Sequence, residues 1–258
     1  MPTTAAPPAT VPTTTTVPTT IPTTTIPTTT APPTTEPPTT TTAPVLQELE
    51  LGRSVEGRPI TAMERGTKGG SVVLVIGCIH GNEEAGRQVV QQLAADPVPT
   101  GVDLWLVPTM NPDGEAHHRR TNAHLVDLNR NFPKGWAPLG KPGDEQYAGT
   151  GPASEPETAA IVSLIDAIKP SLAVWYHQDL NRIDPGTGRS GVIRREYAQL
   201  TGLPMAPVTG GTYTGTATQW ESSAVTGGVA FIVELGPTLD AEQAETHAQA
   251  VLTVAQEP

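Results

Sequence analysis

Cysteine is nearly missing from this chain. The single one, Cys78, cannot form an intramolecular disulfide, and an all-cysteine metal site is excluded. Basic residues are scarce beside acidic ones, 15 Lys and Arg against 26 Asp and Glu, for a net charge of −11. Such a balance argues against nucleic acid or an anionic membrane surface as partner. No apolar run is long enough to span a bilayer, and the N-terminus lacks the charged-then-apolar pattern of a secretory signal. Residues 1–44 have no aromatic side chain and one charge, Glu36, so the remainder carries −10.

What those 44 residues do contain is threonine and proline, 33 in total, in an imperfect repeat. Nothing there can bury a core, and the prolines favour extended, polyproline-like backbone. The expected organisation is a disordered Thr/Pro-rich spacer over 1–44 followed by one folded domain over 45–258. A spacer of this kind is at home outside the cell. It predicts an extracellular or cell-wall-associated protein whose export signal or anchor lay upstream of residue 1.

The folded part is organised around Val72–Glu83, VVLVIGCIHGNE. A β-branched apolar run reads as a strand buried on both faces, with Cys78 as a small core residue. It opens into His80-Gly81-Asn82-Glu83 and then a helix from about 83 to 95. Before it, Leu46–Leu51 and Pro59–Arg65 read as an edge hairpin. After it come an apolar strand over 102–107, a long polar segment through Asn131, and a helix opened by Ser154 and Glu157 in the pattern of a capping box. A short apolar strand delivers His177, a helix is expected over 192–201, and a strand over 229–233 ends on Glu234. The last helix, about 240–255, presents Ala244, Ala248, Val251 and Leu252 to the core. Strands alternating with helices give an α/β layered domain.

If the core strands are parallel, their C-terminal ends share one edge, where open α/β sheets bind ligands. His80 with Glu83, His177 and Glu234 all stand at such ends. Two imidazoles and a carboxylate can share one zinc ion and leave a fourth position open, the arrangement of a catalytic site. Zinc lowers the pKa of bound water from about 15.7 to about 7. Glu234, alone among apolar neighbours, suits a proton carrier whose pKa burial raises. Arg119 and Arg120, in the long loop, offer a cation for a developing oxyanion. The plainer alternatives are a helix start at Asn82 or Glu83, a structural Glu234, and a solvated arginine pair, one member of which is expected to be so.

His80-Gly-Asn-Glu83, Asn111-Pro-Asp-Gly114, Arg120-Thr-Asn122-Ala123, Asp127-Leu-Asn-Arg-Asn-Phe132, His177 and Glu234, in this order, resemble the motifs of the zinc metallocarboxypeptidases. The resemblance implies a three-layer α/β/α fold with a central mixed, mostly parallel sheet. It also implies zinc on His80, Glu83 and His177, Glu234 as general base and acid, and Arg120 polarising the scissile carbonyl. Asn129 and Arg130 would grip a terminal carboxylate, and Tyr213 would close over the substrate. The Tyr213-to-Gly215 spacing is shorter than the family's, and Gln219 stands where digestive members have Asp before the Trp. The GTATQW run and short loops look most like the murein peptide amidase branch, which cuts the γ-D-glutamyl–diaminopimelate bond of cell-wall peptides.

The expected protein is therefore a monomeric zinc hydrolase of C-terminal peptide or amide bonds. A competing resemblance is to N-acyl amino acid deacylases of the aspartoacylase or succinylglutamate desuccinylase type, which share His-Gly-Asn-Glu and Glu234-Leu-Gly-Pro237. From another class, an inactive wall-binding module would require a lost ligand or proton carrier, and none of the matched positions is lost. His117, His118 and His124 read as solvated, with His118 able to line the cleft, and His247 reads as exposed on the final helix. Glu84 reads as a helix-start charge, and Trp105, Trp136 and Trp175 as packing residues.

Overall fold

The computed structural model describes residues 45–257 together with Thr13, and the expected spacer otherwise lies outside these residues. Seven strands form one mixed sheet: β1 (Val45–Arg53), β2 (Pro59–Gly66), β3 (Ser71–Ile76), β4 (Val102–Val107), β5 (Leu172–Gln178), β6 (Arg182–Ile183) and β7 (Val229–Leu235), in the order β1-β2-β4-β3-β5-β7-β6. The central four run parallel, β4 beside β3, β3 beside β5 and β5 beside β7. The β1–β2 hairpin joins one edge through antiparallel β2–β4 pairing, and β6 closes the other edge antiparallel to β7.

Six α-helices and one 3-10 turn, Leu128–Arg130, accompany the sheet among the described residues: α1 (Gly86–Ala95), α2 (Pro112–Ala116), α3 (Pro156–Ile168), α4 (Gly188–Thr201), α5 (Ala217–Ala224) and α6 (Ala241–Val254). Side chains alternate faces along a strand, and the central strands show the result. Val73, Val75, Leu104, Leu106, Val174, Tyr176, Phe231 and Val233 pack with α1, α4 and α6. Leu74, Ile76, Trp105, Val107, Ala173, Trp175 and Ala230 pack with α3 and α5. Both faces are covered, so the strands are apolar throughout, and the expected three-layer architecture is present.

Several local expectations are corrected. Ser154 and Glu157 do not form a capping box. The N-cap of α3 is Glu155, without a side-chain bond of its own, while Ser154 Oγ donates to Glu155 Oε1 and Glu157 accepts from Val55 N and Asn122 Nδ2. Helix α1 begins at Gly86 rather than Glu83, because the preceding turn is occupied by the chemistry described below. The long polar loop contains α2, α4 begins at Gly188 rather than 192, and α5, absent from the sequence-based expectations, precedes β7. Trp105 and Trp175 are core residues, as expected.

His247 is the largest correction. It is buried, and its Nδ1 lies 2.7 Å from Tyr197 Oη, which in turn lies 2.8 Å from Tyr176 Oη. Burial pushes the imidazole down to about 4. Between pH 6.5 and about 4 the unfolded chain binds a proton that the folded chain refuses, so this residue's stabilising contribution is present above that window and is lost as pH falls through it. Urea unfolding at successive pH values should show about 3 kcal/mol of acid destabilisation from this source. His247→Gln, which keeps an acceptor but cannot titrate, should flatten that part of the profile, and an unaltered slope would rule His247 out as its origin.

Candidate active site

Where β3 ends, the chain must turn without losing its backbone bonds. Met110 N donates to Cys78 O at 2.9 Å, and Asn111 Nδ2 donates to Ile79 O at 3.0 Å while its Oδ1 accepts from Gly114 N and opens α2. This clamp brings Gly81 against the backbone of Gly114, where a Cβ would stand 1.9 Å from the Gly114 carbonyl carbon. Only glycine admits that approach. Glu83 N then bonds to His80 O at 2.9 Å, a single turn that puts His80 and Glu83 side by side.

Glu83 bridges two imidazoles. Its Oε1 lies 2.9 Å from His80 Nδ1 and its Oε2 2.9 Å from His177 Nδ1. The candidate ligand atoms of His80, Glu83 and His177 all lie within 4.8 Å of one another, and all three residues are buried. Gln178 fixes the end of β5 by accepting from Ala85 N and donating to Gly236 O.

A residue to which sequence reasoning gave no role completes the cluster. Asp127 is fully buried, with Oδ1 3.0 Å from His80 Nε2 and Oδ2 accepting from Arg120 Nε at 3.1 Å and Nη2 at 2.9 Å. Giving the Nε2 proton to this bond leaves His80 Nδ1 with its lone pair toward Glu83. A carboxylate behind a histidine fixes its ring and tautomer for metal binding. The Asp-Leu-Asn-Arg run was visible as a motif, but nothing in it distinguished an inward carboxylate from a local cap.

Electrostatics follow from these contacts. Burial alone would raise Glu83 and Asp127, but it is outweighed: His80 and His177 hold Glu83 well below the usual carboxylate range, and His80, Arg120 and Arg130 do the same for Asp127. Burial would lower His80, yet Glu83 and Asp127 raise it. Two buried carboxylates that give up their protons more readily than usual make a candidate cation site. With two imidazole nitrogens and one carboxylate as inward donors, and no fourth protein donor in the group among the described residues, the set fits zinc of the catalytic type.

The remaining expected residues lie around the same cleft, of about 510 Å³. Arg120 Nη1 sits 3.1 Å from His80 Nδ1 and 3.2 Å from Glu83 Oε1. Glu234 stands in register with His177 on the neighbouring strand, half-buried, and its Oε2 has no hydrogen-bond partner among the described residues. Burial raises its pKa above 4.5. Asn129 Oδ1 accepts from Ala217 N, so the amide is already committed to the start of α5, while Nδ2 faces His177 Nε2 at 3.4 Å. Arg130 donates to Thr212 O and Asn129 O and lies 5.2 Å from the centre of the half-exposed Tyr213 ring. His117, His118 and His124 are outside the cleft, paired with Glu56, Glu84 and Glu155. Burial pushes the Cys78 thiol up to about 12, in keeping with a core residue.

Comparison with known proteins identifies the family and the fold. The family described as zinc carboxypeptidase matches residues 39–181. Murein peptide amidase A of Escherichia coli (strain K12) is 30% identical over 184 residues, 66% of this chain and 74% of that protein. Carboxypeptidase SOL1 of Arabidopsis thaliana is 30% identical over 144 residues, 49% of this chain and 28% of that protein, so the chain spans under a third of this relative's length. Among solved structures, murein-tripeptide amidase from Escherichia coli O157 superposes with a TM-score of 0.66 at 24% identity, covering 86% of this chain and 98% of that one. Carboxypeptidase A from Helicoverpa armigera gives 0.68 at 20% identity, covering 82% and 68%.

Asp127→Ala should weaken zinc binding by about 10- to 100-fold, read by competition with a chromophoric chelator. An unchanged affinity would remove Asp127 from the site.

Proposed function

The chain belongs to the zinc carboxypeptidase family, a family of metallohydrolases, and on that premise we propose that it hydrolyses the amide bond before a C-terminal residue of cell-wall peptides, the γ-D-glutamyl–diaminopimelate linkage in particular. The observation that carries the reading is the position of Glu234: a half-buried carboxylate with one free oxygen, across one strand spacing from His177 and in the same cleft as the candidate ligands. The relative named murein peptide amidase A supports the choice of a murein peptide.

His80, Glu83 and His177 would hold zinc, which when bound supplies a Lewis acid and a water of lowered pKa. Glu234 takes the proton of the attacking water and returns it to the leaving nitrogen. Burial raises its pKa, which favours its holding the proton between the two transfers. Arg120, anchored through Nε and Nη2 on Asp127, keeps Nη1 toward the ligand cluster and donates to the scissile carbonyl oxygen as charge develops there. Arg130 and Asn129 bind the terminal carboxylate, Arg130 through the guanidinium donors that its two carbonyl partners leave unused. Tyr213, half-exposed over Arg130, closes the cleft behind the substrate.

Glu234→Gln should retain zinc and lose about 10²- to 10⁴-fold in turnover of a muropeptide tripeptide. The acid limb of the wild-type kcat/KM profile should lie above pH 4.5, because activity falls as the raised carboxylate protonates. Full turnover by the variant would assign the proton transfers elsewhere.

Composition supports the division into a spacer, 1–44, and a catalytic domain, 45–258, and a wall-associated location for the enzyme. Removing residues 1–44 should leave kcat/KM on a soluble peptide unchanged. A large loss would give the segment a part in catalysis.

A further inference from the structure

The cleft continues past the catalytic residues. Its far wall includes Asp184, Arg194, Val208 and Ile232. Ile232 precedes Glu234 by two residues on β7, so both side chains fall on one face of the sheet. Arg194 reaches beyond Ile232, where Nη2 donates to Ala230 O at 3.3 Å. On the other side, β6 pairs Arg182 with Glu234 and Ile183 with Val233, so Asp184 follows alongside Ile232. Beyond Glu234 the pocket thus has apolar walls and ends on two opposite charges.

The two charges form an ion pair that stops short of a hydrogen bond. Asp184 Oδ1 and Arg194 Nη1 are 3.7 Å apart, beyond hydrogen-bond distance. Asp184 Oδ2 accepts from Val208 N at 2.9 Å, and its side chain remains 42% exposed. Arg194 is held by backbone carbonyls, those of Asp184 and Ala230, and by the face of Phe231 at 5.8 Å, while its Nε has no partner among the described residues. An acidic pocket end selects a basic side chain and a basic one selects an acidic side chain. Presenting both charges a few ångströms apart suits a side chain whose tip carries both.

We propose that Asp184 and Arg194 read the distal tip of the leaving residue's side chain, Asp184 accepting from an ammonium and Arg194 donating to a carboxylate on the same carbon. This inference rests on the hydrolase reading above and explains it at the level of the leaving residue: diaminopimelate carries that tip, lysine lacks its carboxylate, and norleucine lacks both charges.

The test uses the full zinc-loaded chain and three peptides, L-alanyl-γ-D-glutamyl-X, with X as meso-diaminopimelate, lysine or norleucine. Wild type should prefer diaminopimelate to lysine, and lysine to norleucine, by about tenfold or more at each step in kcat/KM. Arg194→Met should collapse the first ratio and Asp184→Asn the second. Arg194→Lys keeps the charge and stem over Phe231 but loses the planar fork, and should retain only part of the first ratio. If the Arg194 variants do not fold, the half-exposed Asp184 decides, since an undiminished preference for lysine over norleucine in Asp184→Asn overturns the assignment. Ratios unchanged by either substitution, with the diaminopimelate peptide still cleaved, overturn this inference alone. No turnover of any γ-glutamyl peptide overturns it together with the reading on which it rests.

Discussion

Two carboxylates, those of Glu83 and Asp127, are buried here in their charged forms, and a charge taken out of water is stable only beside its opposite. The Arg120 guanidinium and the ring nitrogens of His80 and His177 face them at 2.9–3.1 Å. Glu221 shows the other solution to burial within the same domain. Among the described residues its one side-chain partner is Trp175 Nε1 at 2.8 Å, and burial pushes it up to about 8. The difference between a charged cluster that can trade a proton for a metal and an inert core acid is thus a matter of neighbours, not of residue type.

The scaffold brings the cluster together by topology. Parallel β3, β4, β5 and β7 release their chains at one edge, and the residues that follow supply His80 and Glu83, the Asn111 clamp, His177 and Glu234. The loop carrying Arg120 and Asp127 is tied in turn to α3 through Asn122, whose Nδ2 donates to Glu155 and Glu157. Buried polar side chains here are bonded largely to one another, so the loop is held without regular structure of its own.

Much of this was legible in the residues. The β-branched runs marked the central strands because both their faces are covered, and a polar residue ending such a run stands out against it. What escaped had no such contrast. Asp127 is one polar residue among many in its loop. The short helices α2 and α5 are too short to show a helical period in the sequence; Asn111 caps α2, and Asn129 Oδ1 accepts from Ala217 N at the start of α5. Ser154 and Glu157 have capping spacing, but Glu157 is drawn to Asn122 and Val55 instead. His247 was misjudged from its polar neighbours, although with Ala244, Ala248 and Val251 it follows the helical period of the buried face. Asp184 and Arg194 meet only because the two-residue strand β6 folds back on β7.

Strand order also bears on how the chain is made. All three candidate metal ligands precede β6, whereas Glu234 arrives with β7, the last strand to be synthesised, which must settle between β5 and β6. A nascent chain extending just past His177 therefore contains all three candidate ligands before Glu234 has been made. In the same interval β5 has an open hydrogen-bonding edge and apolar faces that only β7 and the later helices cover, which makes this the stage of biogenesis most exposed to misassembly.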